Sequence, residues 1–405
     1  MKKTLLSAAA FAVVAVSAVA VAPTTSEAIP AFARQTGAAC LSCHFQTFPA
    51  INSFGRSFKL NAFTDVGEEA LVEDDNLSLP SVLNMAFVLR AQVQQVKTSA
   101  AGAASTTVTN YNIPADAVLL IAGRVGAHTG AFVEFGTNPA GAPGAANWQL
   151  MNSFDFDGFK GGVNVQNTGF GPTAALEISN VFGQHGGKLN GKAISAVENV
   201  INGAGTNSTS VVAWAANDMF VGQVGGVALA SAPGLNSPRL LPMARVNGIF
   251  DLGGSEAIVG AGWINGVQTA NGAVLAGADA LFVDAQVQGD IGDASFGIYA
   301  DYVTTKSKAA NGGTALNIFA GSTNAKRDGF SIRGEVKPTH SLMFGLGYGT
   351  DKTKPVGAVS TKNTNWQVAA TYEIYQNMEI NLFYLNNKNG TTTTKTTFGE
   401  VEALF

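Results

Sequence analysis

From about residue 83 onward the sequence alternates between apolar and polar side chains, and a period of two marks a strand with one oily and one wet face. Between Asp328 and Lys337, Phe330, Ile332, Gly334 and Val336 fall on one side and Ser331, Arg333, Glu335 and Lys337 on the other. Trp366, Val368, Ala370, Tyr372 and Ile374 oppose Gln367, Thr371 and Glu373, and Leu281, Val283, Ala285 and Val287 oppose Asp284, Gln286 and Gln288. Phe296, Ile298, Ala300 and Tyr302 likewise oppose Ser295 and Asp301. Helix signals, such as a capping box ahead of a 3.6-residue period, are scarce. Beyond Ala22 no segment approaches the roughly 18 continuous apolar residues that a spanning helix needs, so a membrane would be crossed by strands.

Alternation of this kind also builds soluble β-sandwiches. The connections argue for a barrel instead. Tight turns at Leu252 to Ser255, Asp290 to Asp293, Lys337 to His340 and Tyr375 to Asn377 alternate with polar stretches at Thr305 to Lys326 and Thr350 to Asn363, as short periplasmic turns alternate with long external loops. The last residues, Gly399 to Phe405, form a strand-like segment with a terminal aromatic and resemble the signal read by bacterial barrel-assembly machinery. Counting back from Phe405 gives about sixteen antiparallel strands, the first near Asn84 to Val96. The expected fold is therefore all-β, a transmembrane antiparallel barrel in the outer membrane with outer-membrane lipid around it.

Three parts divide the 405 residues. Residues 1–28 read as a secretory signal peptide: a basic Met1-Lys2-Lys3 start, an apolar run from Leu5 to Ala22 and a small-x-small site at Ser26-Glu27-Ala28. Residues 29–75 hold a small N-terminal segment and an acidic linker, with Asp65, Glu68, Glu69, Glu73, Asp74 and Asp75 in the linker. Residues 76–405 make the barrel. A net charge of −4 gives no basic footprint, so no nucleic-acid partner is expected.

The only two cysteines stand three apart in Cys40-Leu41-Ser42-Cys43-His44. In a C-x-x-C-H sequence two thiols add to haem vinyl groups and the adjacent imidazole becomes the proximal iron ligand. The pair also fits an oxidoreductase disulfide or half a zinc site, but the first expects a βαβ context and the second more ligands nearby. One covalent haem c is the expected cofactor, bound by Cys40 and Cys43 as thioethers and by His44 through iron. Phe32, Phe45, Phe48, Phe54 and Phe58 surround the motif as an apolar shell, and Arg34, Arg56 and Lys59 are either propionate partners or solvated cations. About 45 residues cannot bury a core unaided, so this segment and its haem are expected to fold together, in or at the barrel lumen.

The sixth iron ligand stays open. Met85 shares the lipid-facing side of its strand with Phe87, Leu89, Ala91 and Val93, while Lys59 and the turn histidines His128 and His340 are alternatives. Glu134, Asp155 and Asp157 offer hard oxygen ligands for ferrous iron or are ordinary lumen and turn charges.

Ala31 to Gly37, Cys40 to His44 and Phe54 to Lys59 together resemble the fused monohaem cytochrome-porins that serve as outer-membrane iron oxidases in iron-oxidising bacteria. The resemblance in motif covers residues 30 to 64 or so, and the remainder is similar in plan only. It implies an oxidoreductase that takes single electrons from extracellular Fe(II) and passes them to a periplasmic c-type cytochrome. The competing expectation is a diffusion porin whose haem segment is a structural or regulatory plug.

Overall fold

The computed structural model describes residues 30–67, 69–137, 143–167, 176–181, 194–201, 209–229, 240–270, 274–308 and 316–405. The expected leader, residues 1–28, lies outside the described residues. Among the described residues sixteen long antiparallel strands close into one barrel, with the short segments Phe154–Phe156, Leu316–Asn317 and Ser322–Thr323 paired onto it. In chain order they are β1 Met85–Ala100, β2 Thr106–Gly126, β3 Thr129–Thr137, β4 Pro143–Asn152, β5 Phe159–Asn167, β6 Thr209–Ala216, β7 Phe220–Ala228 and β8 Leu241–Asp251. The second half runs β9 Ser255–Ala270, β10 Val274–Ile291, β11 Ala294–Lys306, β12 Lys326–Thr339, β13 Leu342–Lys354, β14 Thr361–Tyr375, β15 Met378–Asn389 and β16 Thr392–Leu404. Each pairs with its sequence neighbour, and β16 pairs with β1 to close the cylinder, from Thr392 opposite Ala100 to Leu404 opposite Val88. At that seam the backbones of Phe405 and Phe87 exchange two hydrogen bonds, and their rings lie 5.4 Å apart.

The alternation translates directly into inside and outside. On β12 Ser331, Arg333, Glu335 and Lys337 are buried in the lumen, while Phe330, Ile332 and Val336 are exposed on the outer face. On β10 Asp284, Gln286 and Gln288 are buried and Leu281 and Val283 face outward. Lipid requires an oily exterior, and closure leaves no strand edge unpaired in it. Two expectations shift. Strands β13 and β14 pair out to Thr353 opposite Thr361, so the polar stretch between them is mostly strand rather than loop. The acidic segment expected as a linker contains a hairpin, Leu71–Asp74 paired with Leu77–Pro80, and the barrel itself starts at Met85.

Two segments enter the cylinder. Residues 30–67 sit at the tight-turn end and carry helices α1 Pro30–Thr36, α2 Cys40–Cys43 and α3 Ser53–Leu60. Ala31 and Phe48 pack there against Ala86, Val88, Val118, Leu120, Ala122 and Leu404, inward residues of β1, β2 and β16. The second segment belongs to the long connection between β5 and β6, of which residues 176–181 and 194–201 are described. It includes α4 Ala196–Val200, whose N-cap Ser195 accepts from the Glu198 amide, a capping motif that the scarcity of helix signals had hidden. Val197, Val200 and Ile201 are fully buried in an apolar cluster with Val212, Leu241, Phe282 and Tyr299 of the wall.

Candidate functional site

The cysteine-histidine motif forms a single helical turn. Cys40 is buried and Cys43 half-buried, neither is in a disulfide, and the His44 amide donates to the Cys40 carbonyl at 2.9 Å. One side chain clasps this turn. Asn52 caps α3 by accepting from the Gly55 amide at 2.9 Å, and its Nδ2 faces the carbonyls of Leu41, Ser42 and His44 at 3.4, 3.0 and 3.2 Å. Helix α3 crosses the turn so closely that a Cβ on Gly55 would overlap the Cys43 carbonyl, so only glycine fits. Beyond the turn His44 and Ile51 form an antiparallel bridge, and His44 Nδ1 lies 3.2 Å from the Ala50 carbonyl. A proton on Nδ1 shared with that carbonyl selects the tautomer in which Nε2 carries the lone pair, the usual arrangement for a metal-ligating histidine.

Phe32, Phe58 and Phe63 build an apolar wall between α1 and α3: Phe32 meets Phe58 edge-on at 5.1 Å and stacks on Phe63 at 5.2 Å. Gln35, fully buried, ties α1 to the rest. Its amide donates to the carbonyls of Phe63 and Asp65 at 2.6 and 2.8 Å, and its oxygen accepts from the Arg124 amide at 3.0 Å and Asn84 Nδ2 at 3.3 Å. Burial first, and Asp65 second, push the Cys43 thiol up, away from the low range of reactive C-x-x-C pairs. Two thiols outside any disulfide and an adjacent imidazole whose Nδ1 faces a carbonyl match the donor set of a covalent haem.

The three candidate cations separate in role. Arg56 pairs with Glu256 at the start of β9, and Lys59 pairs with Glu177 of the inserted connection at 3.2 Å. Burial pulls the Lys59 ammonium down and Glu177 opposes it, so this nitrogen is engaged by a carboxylate. Arg34 is exposed and donates to the Met85 carbonyl at 2.7 Å. Further bonds run round the rim: Gln46 Nε2 to the Ser295 carbonyl at 2.9 Å, Lys337 Nζ to the Gln46 carbonyl at 2.6 Å, and the Leu41 amide to Gln376 Oε1 at 3.4 Å.

Among the sixth-ligand candidates, Met85 points outward as its strand pattern predicts, and His128 and His340 are exposed in the β2–β3 and β12–β13 turns, His128 lying 5.1 Å from the Phe154 ring. The structure does not bring Glu134, Asp155 and Asp157 together. Glu134 accepts from Asn147 in the lumen at 2.6 Å, whereas Asp155, in the short strand segment Phe154–Phe156 paired with the start of β5, bonds Lys160 at 2.8 Å beside the turn that holds Asp157. No group of three or more metal-binding side chains occurs among the described residues. Asn52, Gln35, Glu177, Glu256 and Asn180 are the site residues that sequence reasoning missed. Only Asn52 had a local signal, an N-cap residue ahead of Ser53-Phe54-Gly55.

No protein-family model matches the chain, and no curated protein matches it. Solved structures share the fold. The outer membrane channel DcaP of Acinetobacter baumannii superposes with a TM-score of 0.52 at 14% identity, over 80% of this chain and 97% of that one. The anion-selective porin from Comamonas acidovorans gives 0.51 at 12% identity, over 80% of this chain and 99% of that one. With its closed ring of sixteen strands and oily exterior, the protein is an outer-membrane β-barrel of porin architecture.

Proposed function

We propose that this barrel is an electron conduit: residues 30–67 hold one covalent haem c at the tight-turn mouth, and the protein oxidises extracellular Fe(II) on behalf of a periplasmic c-type cytochrome. The observation that carries the reading is the clasped cysteine-histidine turn seated inside the barrel end that faces the periplasm in barrels of this kind. When bound, the haem supplies a one-electron couple within an otherwise insulating wall. Cys40 and Cys43 would hold the group through thioether bonds to its two vinyl substituents, and His44 would bind its iron through Nε2 while the Ala50 carbonyl holds Nδ1. Phe32, Phe58 and Phe63 would supply an apolar wall to the segment that holds it. Arg34 is the propionate partner of choice because its charge faces a carbonyl rather than a carboxylate; Arg56 and Lys59, each paired with a glutamate, fasten the segment in the barrel.

Taking the electron at the cell surface leaves the ferric product, which hydrolyses near neutral pH, outside the cell. The barrel itself supports a second reading. Its structural neighbours are described as a channel and an anion-selective porin, which favours a diffusion porin carrying residues 30–67 as a structural or regulatory plug. Purified protein in liposomes separates the two. External Fe(II) should reduce an enclosed cytochrome c under the first reading, and solute conductance without that reduction establishes the second. Reduced-minus-oxidised spectra test the cofactor beneath both: the haem band should vanish in Cys40→Ala/Cys43→Ala, and a band of unchanged position and height in that variant overturns the assignment.

A further inference from the structure

One lumen side chain backs the segment that faces the cysteine-histidine turn. Asn180, on the connection that enters the lumen between β5 and β6, is 2% exposed. Its Oδ1 accepts from the Ile51 amide at 2.8 Å and its Nδ2 donates to the Ile51 carbonyl at 2.8 Å, the two bonds that a neighbouring strand would make. Ile51 is the bridge partner of His44, and the preceding carbonyl, of Ala50, faces His44 Nδ1. The Ile51 backbone thus stands between Asn180 and the imidazole.

On its other side Asn180 is gripped by the wall. Its amide donates to Gln286 Oε1 of β10 at 2.7 Å, and the guanidinium of Arg333 on β12 donates to the carbonyls of Asn180 and, at 2.6 Å, Val181. Arg333 is in turn held over the Tyr299 ring at 4.3 Å, and Ser179 reaches Asp284 at 3.3 Å. The bonds to the wall are directional and buried, and those to Ile51 are directional and half-buried. The position needs a side chain that donates and accepts at once, in the plane of a peptide, which an amide does and neither a carboxylate nor an alkyl group can.

We propose that Asn180 is a positioning residue for the proximal histidine: it fixes the Ala50–Ile51 backbone, and so the orientation and basicity of the His44 imidazole, against the barrel wall. The assignment rests on the haem reading above. It makes the wall residues Gln286 and Arg333 part of what sets the redox potential, although they lie 242 and 289 positions along the chain from His44. Partners of a ligating histidine commonly tune a metal in this way.

The test uses the full-length haem-loaded protein, with Asn180→Ala, Asn180→Gln and, as a lumen control, Asn164→Ala. Heat-modifiable gel mobility confirms that each barrel has formed, and Asn180→Ser replaces Asn180→Ala should the latter fail to assemble. In Asn180→Ala the Ile51 amide should exchange with deuterium about tenfold faster, the size of one lost hydrogen bond, with covalent haem content unchanged. The midpoint potential and the electron paramagnetic resonance signal of the ferric iron should both move, return toward wild type in Asn180→Gln, and stay fixed in Asn164→Ala. Unchanged Ile51 exchange overturns the latch. Faster exchange with an unmoved potential and an unmoved signal leaves a structural latch and overturns the positioning role. A wild-type protein without any haem band overturns the parent reading and this one together, and is recognised before a variant is made.

Discussion

The two segments that enter the barrel are held by different forces. Residues 30–67 rest on an apolar floor but are oriented by directional polar bonds on several sides: Arg56 to Glu256, Lys59 to Glu177, Lys337 to Gln46, Gln46 to Ser295 and Gln376 to Leu41. Residues 194–201 are held mainly by area, with Val197, Val200 and Ile201 sunk in an apolar cluster and the Asp301 carboxylate taking the amides of Ala196 and Val197. Apolar burial is strong and indifferent to angle, whereas hydrogen bonds and ion pairs are lost unless the geometry is right. A segment that only has to occupy space can rely on the first. One that must present two sulfurs and an imidazole in fixed relation needs the second.

The sharpest way to separate the two segments is Cys40→Ala/Cys43→Ala. Covalent haem should be lost entirely, and hydrogen exchange across residues 30–67 should rise by orders of magnitude while that of 194–201 stays as it was; equal effects on both would break the distinction. Next in size is Glu177→Ala, which removes a carboxylate partner of the buried Lys59 ammonium and should weaken docking of the terminal segment by about 3–5 kcal/mol, read from the denaturant dependence of its proteolysis. Ile201→Ala should cost about 2–4 kcal/mol through the cavity it leaves, visible as faster exchange in 194–201 with no change in the haem spectrum. Smallest is Asn52→Ala. Losing the cap of α3 costs about 1 kcal/mol, but the loosened turn should still broaden the haem signals in proton magnetic resonance, which Ile201→Ala leaves sharp.

The barrel was legible because its rule is local. Phe330 to Val336 and Leu281 to Gln288 announce their two faces within eight residues, and the tight turns at 252–254 and 340–341 stand where the pattern breaks. The motif Cys40, Cys43 and His44, on which the haem proposal rests, is equally local, three residues within five. What holds that motif in place was not legible. Glu177, Asn180 and Glu256 are ordinary polar residues until folding brings them to partners more than a hundred positions away, and no spacing encodes such a meeting. Two signals were nonetheless on the page. Ala117 to Ala122 is apolar on both faces, because its inner side receives the terminal segment, and Ser195 with Glu198 forms a helix start in a region otherwise full of strands. The turn histidines and the carboxylates Glu134, Asp155 and Asp157 illustrate the opposite case, where suitable residue types fold to separate places.

The apolar floor beneath α1 is shared between the two ends of the strand series: Ala86 and Val88 come from β1, Leu404 from β16. Neither strand alone offers that floor. With Val118, Leu120 and Ala122 of β2 beside them, the berth of the cysteine-histidine segment is finished only where Leu404 closes on Val88, so the seam of the cylinder and the seat of its N-terminal passenger are one surface.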